Sequence, residues 1–307
     1  MRFYLAIIFS VLAFLQFAHA QAPVPASFEE AIALFDDGKF DEAKPLAEEF
    51  AAKDDARAMM MLGTIYQKGL SVPADVKLAQ SWFQKAADKN NPDAQLALGM
   101  MFMDGSLGEV DLDQGAPLLE KAATAGNAQA QYNIGLFYAG VYNTEPSWKD
   151  AAMWFQKSAA AGLASAQYNL ALLYIDGRGV DKDMVAAANW FSKAAVQGMP
   201  DAALEYGVLV FRGEGVQKDE KLGAKWLLIS ANHGNPVAQN RMAKLYATGH
   251  GVEVDPVEAA KWAILAKAGG RSDTTLDDAL DKMPADMRKL AEDKAAAFKP
   301  MTSNAAN

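Results

Sequence analysis

The stretch AQYNLALLYIDGRGVDKDMVAAANWFSKAAVQG, residues 166–198, decides the fold. Ala166, Leu170, Leu173 and Tyr174 fall at i, i+4, i+7 and i+8, and Ala187, Trp190, Phe191, Ala194 and Ala195 at i, i+3, i+4, i+7 and i+8. Each set lines one face of an α-helix. Between them lies YIDGRGVDKD, residues 174–183, whose three aspartates and two glycines would suit a metal or phosphate loop as well as a turn. A calcium loop needs Asp-x-Asp-x-Asp-Gly with a glutamate in twelfth place, and a dinucleotide fingerprint needs a third glycine; the segment has neither. Two helices joined by a glycine turn are therefore expected.

The same hairpin recurs along the chain. Trp82, Trp154, Trp190, Trp226 and Trp262 occupy a 36-residue grid whose remaining slot holds Leu118. Gly63, Gly99, Gly135, Ala171, Gly207 and Ala243 share that period, as do Tyr66, Phe102, Tyr138, Tyr174, Val210 and Tyr246. The turn glycines Gly177 and Gly179 return as Gly213 and Gly215 and as Gly249 and Gly251. Asp183 returns as Asp75, Asp111, Asp219 and Asp255, with Ser147 in the remaining slot, each placed to cap the second helix. Asp255-Pro256-Val257-Glu258 reads as a capping box with proline at the first helical position. The small-residue row is expected to let two helices approach, with the tryptophan filling the space against the next unit. One such unit is too small to bury its own apolar face, so the six must stack.

Residues 166–198 closely resemble the Sel1-like repeat, a relative of the tetratricopeptide repeat, in their A-x-x-x-L, Y-x-x-G-x-G-V, D-x-x-x-A-x-x-W-F and A-A-x-x-G elements. The resemblance implies an all-α fold, a right-handed α-solenoid of stacked hairpins that works as an adaptor or scaffold with no activity attached. Many bacterial members are exported and act in envelope signalling or host contact. A cysteine-rich branch is associated with β-lactam binding, but this chain has no cysteine and no Ser-x-x-Lys.

The expected organisation follows. Residues 1–20 read as a signal peptide: Arg2 precedes an apolar run from Phe3 to Phe9 that continues to Phe17, and Ala18-His19-Ala20 ends in a small-residue cleavage pattern. That run is too short to span a bilayer, which takes about 20 apolar residues, although an uncleaved anchor is the alternative. Residues 21–57 read as a capping tetratricopeptide-like hairpin, 58–273 as six repeats, 274–298 as C-terminal capping helices and 299–307 as a disordered tail. Cleavage after Ala20 would leave a periplasmic or secreted protein without integral membrane insertion.

Charge and composition bound the function. The net charge is −9, and removing Arg2 makes it one unit more negative, so nucleic acid is not an expected partner. With 0 cysteines the chain has no disulfide, thiolate metal site or cysteine nucleophile. The sequence contains no His-Glu-x-x-His, Gly-x-Ser-x-Gly or Walker loop, and beyond residue 20 its histidines are His233 and His250. No catalytic residue, metal site or cofactor is expected; the partners expected are other proteins, including segments of envelope or membrane proteins.

By analogy with tetratricopeptide arrays, the first helix of each hairpin lines the concave side. Its positions offset from the core are Met60 and Thr64; Leu96, Met100 and Met103; Tyr132 and Leu136; Tyr168, Leu172 and Ile175; Leu204, Val208 and Phe211; and Asn240 and Lys244, a series whose middle is apolar and fit to bury a partner segment. Either these positions form an open groove or a tightly wound superhelix buries them against itself. A second candidate is the break in the pattern. Repeat two carries Pro117 and Leu118, and Pro117 is expected to kink or shorten its helix. Repeat three replaces the glycine turn with GVYNTEPSWKD, which offers Tyr142 and Trp148 as an aromatic patch unless Trp148 packs locally. The reading is an exported adaptor in the bacterial envelope that regulates a membrane signalling or assembly system; a secreted host-interaction factor and a β-lactamase-like hydrolase are the alternatives.

Overall fold

The computed structural model describes residues 27–302; the expected signal peptide and the end of the tail lie outside these. Among the described residues the chain is helical, with 16 helices and no strand. A first hairpin of α1 (Phe28–Asp36) and α2 (Phe40–Ala52) leads into six more. These are α3 (Ala56–Lys68) with α4 (Val76–Asp88), α5 (Pro92–Met103) with α6 (Leu112–Thr124), and α7 (Ala128–Tyr138) with α8 (Trp148–Ala160). They continue as α9 (Ala164–Asp176) with α10 (Met184–Val196), α11 (Pro200–Arg212) with α12 (Glu220–Asn232), and α13 (Pro236–Thr248) with α14 (Pro256–Ala268). Each second helix packs on its own first helix and on the first helix of the next hairpin, so the chain is a solenoid. After α15 (Thr274–Asp281), the last helix, α16 (Ala285–Ala296), lies along α14, and Phe298 sets its ring 5.6 Å from that of Trp262.

The seam within each hairpin is filled by a residue that the tryptophan grid did not single out. The residue facing the small-residue row is the one after the tryptophan: Phe83, Leu119, Phe155, Phe191 and Leu227 are each at most 3% exposed. A Cβ on Gly63 would stand 2.4 Å from the Phe83 ring, and one on Gly135 would stand 2.7 Å from the Phe155 ring. The gap left by the missing side chain is thus filled by this ring. The gridded indoles lie further out: Trp154 and Trp262 are buried, while Trp82, Trp190 and Trp226 are half-buried. Lys85, Lys157 and Lys193 sit 4.0 Å over the Trp82, Trp154 and Trp190 rings, which puts an apolar wall on one side of each indole and a cation on the other.

Successive hairpins are also tied by glutamine. Gln95, Gln131, Gln167 and Gln239, all under 9% exposed, donate to the carbonyls of Ala87, Ala123, Ala159 and Ala231 in the last turn of the preceding second helix. Helix ends leave such carbonyls short of intrahelical partners, and a buried amide supplies one across the turn. Repeat five holds Ala203 at this position.

The aspartate caps form at five of the six sites, through Asp75, Asp111, Asp183, Asp219 and Asp255. Ser147 makes no cap; its hydroxyl donates to the Asp150 carboxylate instead. At Asp255 the capping box is half made, because Glu258 turns away to Lys261 and Lys294, two charged donors that outcompete one backbone amide. Pro117 does not shorten α6, which has 13 residues like α4 and α8. The proline lies on the exposed side, where the carbonyl it deprives of a donor can take water.

The second glycine of the turn has an inter-repeat role. Gly179 has φ +71°, and a Cβ there would fall 2.0 Å from the Trp148 carbonyl oxygen at the start of the preceding second helix; Gly215 stands in the same relation to Met184. Gly198 also has a positive φ, +87°, but open space around it. Alanine at Gly198 is expected to cost roughly 1–2 kcal/mol through its left-handed backbone alone. Gly215→Ala adds the backbone clash and should cost at least about twice as much. Urea unfolding of the two variants measures the difference.

Candidate protein-binding face

Adjacent first helices touch one another directly. The Asn133 amide on α7 donates to the Met100 sulfur on α5 at 3.2 Å, and the Asn169 amide on α9 donates to the Tyr132 hydroxyl at 3.4 Å. The apolar residues beside these contacts therefore form one surface that crosses the hairpins. Met60, Leu96, Met100, Tyr132, Leu136, Tyr168, Leu172, Ile175 and Phe211 are half-buried in it, and Leu204 and Val208 are buried, at 7% and 8% exposure. Leu204 and Val208 are thus core residues, packed with Ala224 and Leu227 of α12, rather than projecting positions, and Met103 and Asn240, at 1% and 7% exposure, are covered as well. The rest is a furrow of partly covered side chains.

The tyrosines show how that covering works. Tyr132 and Tyr168 stack their rings at 5.8 Å and 5.4 Å from Phe155 and Phe191, the residues that fill the hairpin seams. Burial raises the Tyr132 phenol, and it pushes Tyr168 up to about 12, helped by the nearby carboxylates of Glu205 and Asp201. Both rings are anchored from below while their hydroxyls stay neutral donors. Tyr142 belongs to the same cluster as Leu96 and Met100, and its phenol is raised by burial first and then by the Asp104 carboxylate and the Tyr132 hydroxyl. Trp148 does not join it. It packs locally with Ala151, Phe155 and Val180, and Arg178 lies 5.0 Å over its ring. The two aromatics of the irregular turn thus belong to different clusters.

A polar row that the sequence reading missed runs beside the furrow residues, buried at Asn133 and half-buried at Asn169, Glu205 and Arg241. Asn133, Asn169, Glu205 and Arg241 occupy one grid position in four consecutive repeats, directly after Tyr132, Tyr168, Leu204 and Asn240. The period was the available signal. Glu205 is half-buried, and burial raises its carboxyl, with Asp201 adding to the effect and Arg241 and Arg212 opposing it. Burial lowers the Arg241 guanidinium, whose Nε is buried without a hydrogen-bond partner among the described residues. At this end of the furrow a cavity of about 170 Å³ has Val208, Phe211 and Leu227 among its apolar lining and Arg212, Arg241 and Lys244 among its charged lining.

Elsewhere the described residues contain no group of three or more His, Cys, Asp or Glu side chains placed to hold a metal ion. His250 is exposed, 3.8 Å from Glu220, and the His233 ring nitrogen meets the Ile229 carbonyl at 2.9 Å. No helix among the described residues is long and apolar enough to cross a membrane.

The Sel1 repeat pattern matches residues 56–91, 92–127, 128–163, 164–199, 200–235 and 236–270, most of the chain. This chain belongs to the Sel1 repeat family. Sel1 repeat proteins generally mediate protein–protein interaction and are typically non-enzymatic scaffolds. A Sel1 repeat protein from Oxalobacter formigenes is 30% identical, with a TM-score of 0.69, and the match covers 79% of this chain and 100% of that one. A protective antigen of uropathogenic Escherichia coli with an SLR fold is 25% identical, with a TM-score of 0.78 over 89% of this chain. The match spans 61% of the antigen's own length. No curated protein matches the chain.

The raised carboxyl of Glu205 has a pH signature. A carboxyl whose folded pKa lies above its unfolded value of about 4.3 favours folding fully below that value and loses the contribution as pH rises through the folded pKa. Glu205→Gln is therefore expected to raise the melting temperature at pH 7, with the gain shrinking toward pH 4. Thermal unfolding followed by circular dichroism across that range checks it; a constant difference contradicts it.

Proposed function

We propose that this Sel1 repeat protein is an exported adaptor of the bacterial envelope that binds a segment of another protein along its first-helix furrow. The observation that carries the reading is the continuity of that surface, in which half-buried apolar side chains from consecutive hairpins adjoin a row of polar groups that ends in Arg241, unpaired among the described residues. Such a surface can bury apolar side chains of a partner and bond its backbone at once. Met100 and the tyrosines supply adaptable and rigid contact area respectively. The N-terminal segment of residues 1–20 supports export, with cleavage after Ala20. The regulated process is read as a membrane signalling or assembly system, in keeping with an adaptor that carries no reaction chemistry of its own.

The test replaces Leu136 and Leu172, neither of them at the bottom of a seam, with glutamate. The Leu136→Glu/Leu172→Glu protein is expected to keep its helical circular dichroism and to lose its crosslinked partners from the native envelope. A folded variant with an unchanged set of partners overturns the reading. Export predicts a mature chain beginning at Gln21 in the periplasmic fraction, read by N-terminal mass spectrometry. Recovery in the culture medium would instead favour a secreted factor that engages a host protein, a second reading that draws on the similarity to the Escherichia coli protective antigen.

A further inference from the structure

The C-terminal end of the furrow differs from the rest in charge and in unmet bonding. The cations of the cavity between α11, α12 and α13 are not equivalent. Lys244 is held by Asp273 at 2.6 Å, and Arg212 has Glu214 at 3.7 Å. Arg241 makes no salt bridge among the described residues, and its buried Nε has no acceptor. Glu205 lies within its field without reaching it. At the other end of the furrow Arg57 has no such vacancy, because Glu29 and Asp55 each bind it at 3.0 Å. A guanidinium offers five donors in a planar fork that matches a carboxylate, and the terminal nitrogens of Arg241, unpaired among the described residues, are left for an incoming acceptor.

We propose that this cavity takes the free carboxyl terminus of a partner polypeptide that ends in an apolar residue, with the carboxylate on Arg241 and the side chain against Val208, Phe211 and Leu227. Volume selects the occupant: about 170 Å³ is below the roughly 300–1,000 Å³ of small-molecule sites and has room for a single side chain. Arg241 lines the same cavity as the apolar floor, so the anion and the apolar group must be adjacent. A chain carries both on one Cα only at its C terminus. A free amino acid does so too, but it brings an ammonium group toward Arg212 and Lys244, which repel it. The preceding residues of the ligand then run along the furrow past Leu172 and Tyr168, so the inference rests on the furrow being a polypeptide-binding surface.

The experiment uses the full mature chain and synthetic random peptides immobilised through their N termini and ending in Leu, Ile, Phe or Met. One library carries free C-terminal acids, a second the corresponding amides, and a third amides with an internal aspartate beside the same apolar residue. Retention on the free acids is expected to exceed retention on either amide library about tenfold, the factor that one charge-assisted pair sustains. The net charge of −9 biases every non-specific contact the other way. Arg241→Gln, checked for folding by circular dichroism, should abolish the preference, whereas Arg241→Lys should restore part of it. Equal retention on acids and amides overturns the proposal. So does equal retention on the internal-aspartate library, or a preference that survives in Arg241→Gln. The two failures are told apart: equal retention on acids and amides by the unaltered chain overturns the pocket and leaves the furrow standing, whereas unchanged envelope partners in the folded Leu136→Glu/Leu172→Glu variant overturn the furrow and, with it, the path assigned to the preceding residues.

Discussion

The structure depends on the close approach of two helices within each hairpin, where a first-helix residue with little or no side chain meets a ring or branched chain from the second helix. Gly63 against Phe83 and Gly135 against Phe155 are the tightest examples, with no room for a Cβ in the present ring positions. Helices that close draw their flanking apolar residues into register. Two short helices cannot cover those flanks alone, so the next hairpin must. The glutamine tie and the second turn glycine both act at that inter-hairpin boundary. They fix how each unit sits on the last without adding to the core of either.

The proposed binding face follows from the same constraint. Because Tyr132 and Tyr168 rest on the rings that fill the seams, they are held rigid and partly covered, and the furrow keeps its shape without a partner. Rigid aromatic area loses little conformational entropy on binding. The polar row runs beside this apolar surface at one residue per hairpin, neutral at Asn133 and Asn169 and charged at Glu205 and Arg241. A segment lying along it would pass from neutral amides at one end to charged groups at the other. That gradient can fix the direction in which a segment lies, which apolar contact alone cannot do.

Much of the architecture was legible because it depends on period. The tryptophan grid, the glycine turns and the capping aspartates each recur, and recurrence separates a structural need from a chance site; that argument correctly read YIDGRGVDKD as a turn. What period could not give was depth. Trp190 and Phe191 are neighbours in sequence, yet Phe191 fills the hairpin seam while the half-buried indole carries Lys193 over its face. The buried glutamines escaped notice because a polar residue on a helix reads as solvent-facing until its acceptor, eight residues earlier and across a turn, is located. Arg241 was hidden likewise, since its lack of a partner is a fact of three dimensions. Pro117 was read as kinking or shortening its helix, whereas it lies on the exposed side of an α6 of full length.

The seam can be tested directly by a double-mutant cycle between Gly135 and Phe155, measured by urea unfolding. Gly135→Val fills the space that the Phe155 ring occupies, and Phe155→Ala empties it, so each change alone should destabilise the protein. Together they should recover part of the loss, with a coupling of about 0.5–3 kcal/mol, as expected for residues in contact. Strictly additive losses would mean that the small residue and the ring do not constrain one another, and would contradict the account.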